Sequence, residues 1–184
     1  MTTMDLKSTF TVRRIVITGV LAAIAILLGV TRLGFIPVPN TTGNATIMHV
    51  PAIIGGVLEG PVVGLLIGGI FGIYSLLQDT TGLFKNPLVS VVPRLLIGVV
   101  AYYSYAAVKK SNEYLALIVA GVAGTLTNTI LVVGALVGLQ LIPAEVVPTI
   151  IPQAVAEVII AAVITVAVVA AWKRIDTGAG KSSV

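Results

Sequence analysis

Arg94, Asn128, Gln153 and Glu157 interrupt otherwise apolar stretches of the chain and are the side chains whose types could do chemistry. A guanidinium presents a planar fork of donors matched to a carboxylate. A carboxylate accepts from amines and hydroxyls, or exchanges a proton when its surroundings raise its pKa. Amides both donate and accept. Gln153 and Glu157 are four residues apart and share one face of a helix. His49 is the only histidine and there is no cysteine. A zinc site cannot be completed from one imidazole, and thiol chemistry and disulfides are excluded. The chain contains no HExxH, GxSxG or GxxxxGK[ST] motif and no carboxylate-rich Mg²⁺ cluster. The polar set therefore points to binding of a small polar solute rather than to catalysis. No metal, no cofactor and no intrinsic ATPase is expected.

The elements that hold these groups are set by composition. Fifty-seven per cent of the 184 residues are hydrophobic and 10% are charged, with a mean hydropathy of +1.10. Soluble domains run at roughly 45–50% apolar and about 25% charged, so the chain is read as an all-α integral membrane protein. Six helices are predicted, over about 12–30, 49–58, 62–77, 87–108, 114–139 and 148–172, as one membrane domain covering residues 1–184. The second and third are shorter than the roughly 20 residues of a full span, so a tilted or partly non-helical second element is expected. Glu59-Gly60-Pro61 reads as a turn, because glycine relaxes the backbone and proline lacks an amide donor. Residues 1–10 are polar and no small-residue cleavage site follows the first apolar run, so the first helix is expected to be retained.

A cytoplasmic N-terminus places Lys7, Arg13, Arg14, Lys109, Lys110, Lys173, Arg174 and Lys181 inside and only Arg32 and Lys85 outside, eight against two. Both termini are then cytoplasmic, and the basic balance serves orientation rather than nucleic-acid binding. Trp172 and Tyr102, Tyr103 and Tyr105 fall near the inner interface as anchors. At about 1.5 Å per residue, Arg94 and Glu157 lie in the outer half, with Asn128 near the middle of its helix. Ionisable groups in lipid cost several kcal/mol by insertion scales. Either Arg94 and Glu157 form a buried ion pair that fixes packing, or the polar groups line a pocket open to the outside; a pair could also line the pocket. Asn44 and Thr46 lead into the second helix, which His49 begins, and Asn44 to His49 would form an ordered lid over the outer cavity. Gly60, Gly64, Gly68 and Gly72 form an every-fourth-residue stripe suited to close helix packing, and Gly19 and Ala23 form a small-residue face that could dock another membrane protein.

Asn44 to Gly72, NATIMHVPAIIGGVLEGPVVGLLIGGIFG, together with RRIVITGVLAAIAILLG, resembles the substrate-binding S components of energy-coupling factor (ECF) vitamin transporters. The resemblance implies a six-helix S-component fold in a prokaryotic cell membrane, capture of a water-soluble vitamin from outside, and assembly with a transmembrane coupling protein and two cytoplasmic ATPases. It places the vitamin beneath the first loop and among the last three helices, with Asn44, His49, Arg94, Asn128, Gln153 and Glu157 as substrate-binding candidates. Gly19 and Ala23 match the family's AxxxA partner face, with glycine replacing the first alanine. Pantothenate is the expected substrate because an arginine suits its carboxylate. Glu157 suits instead the donors of hydroxymethylpyrimidine or pyridoxine. A stand-alone proton-coupled carrier that titrates Glu157 is the alternative of a different class.

Overall fold

The computed structural model describes residues 11–37 and 44–179, including all their side chains except those of residues 44 and 176–179. Lys7 and Lys181, used above to orient the chain, lie outside the described residues. The elements are helix α1 (Val12–Val30), strands β1 (Phe35–Pro37) and β2 (Asn44–Thr46), and helices α2 (Val50–Glu59), α3 (Pro61–Gln78), α4 (Pro87–Ser90), α5 (Val92–Val108), α6 (Glu113–Gly138) and α7 (Val147–Ala179), the last preceded by a 3₁₀ turn at Ala144–Val146. Among the described residues, five apolar helical stretches are long enough to cross a membrane: Val12–Val30, Pro61–Gln78, Pro87–Val108, Glu113–Gly138 and Ala144–Ile175.

Helix α2 is the exception. Its 10 residues rise about 15 Å, half of the roughly 30 Å hydrocarbon core. Residues from Val50 to Val57 are all buried, and α2 touches α1, α3, α5, α6 and α7. The missing half of the span is supplied by β2 and Ile47–His49. Non-helical backbone at membrane depth is tolerated where it is covered by protein or lines a cavity. Ala45, Met48 and His49 are buried. Strand β2 pairs antiparallel with β1, Ile36 opposite Ala45, which satisfies the backbone groups that a helix would have satisfied internally.

The glycine stripe explains how α3 is held. Cβ atoms built at Gly64 and Gly72 would lie 2.8 Å from Gly98 Cα and 2.9 Å from Ser90 O, and one at Gly68 would overlap the Arg94 carbonyl. Steps of four on α3 therefore meet steps of four, in reverse, on α4 and α5. Lipid tails are as apolar as leucine, so close backbone approach rather than water exclusion drives this contact. Gly60, at φ 101°, makes the bend between α2 and α3 in a region that side-chain-bearing residues rarely enter.

At the end assigned to the cytoplasm, Arg13 Nε lies 3.0 Å and Arg14 Nε 3.7 Å from the Glu59 carboxylate, tying α1 to the α2–α3 bend. Tyr105 departs from the expected anchoring role. It is buried, accepts a 2.5 Å bond from Lys173 Nζ and donates to Glu113, fastening α5 to α6 and α7. Helix α7 continues beyond Trp172 because Lys173 and Arg174 are good helix formers and nothing there breaks the turn.

Candidate functional site

At the opposite end a cavity of about 770 Å³ lies between the last turn of α1, the β ribbon, the C-terminal half of α3, the Asp79–Phe84 loop, the start of α5 and the middle of α6. Its size is that of a small-ligand pocket. Arg94 and Asn128 are both on its wall.

The placement of Arg94 begins with its neighbour. In a regular helix the amide of residue 93 would donate to the carbonyl of residue 89. Pro93 has no amide hydrogen, the helix is interrupted at Val91 between α4 and α5, and Arg94 Nη1 donates to the Val89 carbonyl instead. The guanidinium carbon lies 5.6 Å from the centre of the Phe71 ring and 5.2 Å from that of Phe84, within cation–π range. The residue is 5% exposed and its Nε has no hydrogen-bond partner among the described residues. Asn128 Oδ1 is also buried and unpartnered. Two residues that line the cavity thus carry a buried charged donor and a buried acceptor without partners, each costly to leave unmet in a nonpolar setting.

Phe84 is presented by a tight turn. Asp79 Oδ1 accepts from the Thr81 amide at 2.9 Å and from Thr81 Oγ1 at 2.7 Å, while Oδ2 accepts from the Phe84 amide at 3.1 Å. Burial opposes the charge, but these bonds, with that from the Gly82 amide, outweigh it and hold the Asp79 carboxyl below the usual carboxylate range. Ser90 Oγ donates to the Phe84 carbonyl, closing the loop onto α4.

The remaining candidates divide. Glu157, 5% exposed, accepts from the Thr46 amide at 2.8 Å and from Gln153 Nε2 at 3.0 Å. Neither Glu157 nor Gln153 lines the cavity. No ion pair joins Glu157 to Arg94 among the described residues, so the packing pair considered from the sequence is replaced by a bond from α7 to the ribbon. Thr46 does line the cavity, and Glu157 acts on it from behind. His49 is fully buried outside the lining, its Nε2 2.9 Å from Thr125 Oγ1. It precedes α2 without capping it through its side chain. The Asn44 backbone pairs with Pro37; its side chain lies outside what the structure describes. Gly19 and Ala23 are on the exposed side of α1, and a Cβ at Gly19 would meet nothing within 4 Å.

The α3 wall was not anticipated. Phe71, Tyr74, Ser75 and Gln78 line the cavity, and their spacing of three, four and seven is the signature of one helix face. That stripe was available in the sequence, but its residues resemble ordinary ends of a membrane helix.

A multi-pass bundle with a ligand-sized, partly polar cavity on one side of the membrane is a membrane protein built for small solutes. The family model described as ECF transporter, substrate-specific component, matches residues 13–169, and the chain belongs to that family. It is a multi-pass cell-membrane transporter component, not an enzyme. The chain is also similar to the pantothenic acid transporter PanT of Lactococcus lactis subsp. cremoris (strain MG1363), with 30% identity over 107 residues, covering 47% of this chain and 53% of the relative. The match therefore spans about half of that relative's length.

Proposed function

We propose that this chain captures pantothenate from outside the cell and passes it inward in complex with a transmembrane coupling protein and two cytoplasmic ATPases. The observation that supports the substrate is the presence, on two residues lining the cavity, of buried polar atoms without partners: Arg94 Nε, a charged donor, and Asn128 Oδ1, an acceptor. Pantothenate brings a carboxylate for the first and hydroxyl and amide hydrogens for the second. Glu157, which would repel an anion if it faced the cavity, is taken up by Thr46 and Gln153. Similarity to a relative named for pantothenic acid supports the same choice. The exposed Gly19 and Ala23 face on α1 is the surface offered to the coupling protein.

One observation favours a second reading. Phe35, Phe71, Tyr74 and Phe84 all reach the cavity wall, which would suit the ring of hydroxymethylpyrimidine or pyridoxine. Calorimetry of purified protein with the three compounds decides between them. Saturable binding of pantothenate with no heat from the two ring compounds is expected; the reverse order would transfer the assignment. Mass spectrometry of small molecules released from protein purified out of rich medium gives an independent identification.

A further inference from the structure

Helix α1 ends at Val30, with Thr31 as its cap, and the next residue, Arg32, has φ 60°. The Gly34 amide reaches back to the Leu28 carbonyl at 2.8 Å, so Arg32 occupies the left-handed position that commonly closes a helix and is usually glycine. Of the three other residues of positive φ among the described residues, Gly60 and Gly82 are glycine, while Gln140, which closes α6 as Arg32 closes α1, is not. A side chain in this conformation is disfavoured by contact between Cβ and the backbone, and such outliers motivate a functional hypothesis when they sit at a site. Gln140, the other non-glycine of positive φ among the described residues, lies outside the cavity lining. Arg32 is part of that lining, exposed, at the rim beside Gly29 and Val30.

Charge completes the case. The lining holds Arg32 and Arg94 against one carboxylate, Asp79. Asp79 is engaged by Thr81 and Phe84, and no carboxylate is within ion-pair distance of Arg32 among the described residues. Arg94 is buried and cannot act on a solute until that solute has entered. We infer that Arg32 is the capture residue of the cavity: an exposed guanidinium that draws the carboxylate of an anionic solute to the mouth and delivers it to Arg94. This deepens the assignment proposed above and rests on it, since it requires an anionic substrate.

A mouth charge acts on the rate of encounter and is screened by salt. The test is filter binding of pantothenate, and of its uncharged analogue carrying a hydroxymethyl group in place of the carboxylate, at about 10 mM and about 150 mM ionic strength, where the screening length falls from about 30 Å to about 8 Å. Asparagine tolerates the left-handed conformation, so Arg32→Asn removes charge with little change of backbone. It should slow pantothenate association about three- to tenfold at low salt, with a smaller effect at high salt and none on the uncharged analogue. Arg32→Lys should keep the wild-type rate. Arg32→Gln supplies the same contrast if the asparagine variant does not purify. Unchanged association with a lower melting temperature would assign Arg32 to neutralising the end of α1 and overturn its capture role while leaving pantothenate in place. Equal slowing of both compounds would also overturn it. Wild-type protein that binds neither would overturn the substrate assignment, and the capture role with it.

Discussion

A single proline–arginine pair shows how a local defect positions the side chain proposed to recognise the solute. Pro93 leaves the Val89 carbonyl without its helical donor, and Arg94 takes it. Replacing Arg94 by alanine should weaken pantothenate binding by about 2 kcal/mol, the scale of a charged hydrogen bond, or roughly thirtyfold in Kd by calorimetry. Pro93→Ala restores the amide, which competes for the same carbonyl. It should weaken binding about fivefold, the equivalent of about 1 kcal/mol, while the melting temperature stays level or rises. Glu157 plays a different part. Glu157→Ala removes the acceptor from the Thr46 amide and should raise hydrogen exchange at residues 45–48, whereas Glu157→Gln keeps an acceptor oxygen and should do so less. Equal exchange in both variants would show that the ribbon is held by something else. Arg94 and Asn128 were recognisable in the sequence because polarity in a membrane span is expensive wherever the side chain points. The role of Glu157 was not, because its donor, Thr46, is 111 residues away and a shared helix face with Gln153 says nothing of what that face meets.

At the scale of elements, the glycine steps on α3 set the position of α5 and so of Arg94. Gly68→Val places a branched side chain against the Arg94 carbonyl; overpacking of this kind costs about 1–3 kcal/mol. A lower melting temperature in detergent, accompanied by weaker ligand binding, is expected. An unchanged melting temperature would mean that the helices part freely. The α1 boundaries follow directly from the apolar run between Thr11 and Arg32, and the Gly60-Pro61 bend from residue chemistry alone. The β ribbon was not foreseen as strands: Phe35–Pro37 and Asn44–Thr46 are three residues each, too short for alternation to register. The α3 wall of the cavity escaped notice for a related reason, since Tyr74, Ser75 and Gln78 are residue types equally at home at a membrane interface.

Across the whole molecule, the two surfaces proposed for function are separate. The cavity occupies one end, while Gly19 and Ala23 lie on the exposed flank of α1, on either side of its midpoint. Ala23→Leu should therefore leave calorimetric binding intact and reduce co-purification with the coupling protein. Loss of binding with assembly preserved would reverse the assignment. The short helix α2 carries one more consequence. It is enclosed by neighbours that include α7, which is synthesised about ninety residues after it. Until the ribosome has made that helix, a stretch lacking half the length of a span has no complete enclosure. Biogenesis must hold the early part of the chain in waiting, and any truncation that removes the closing helix leaves the nascent protein exposed to membrane quality control.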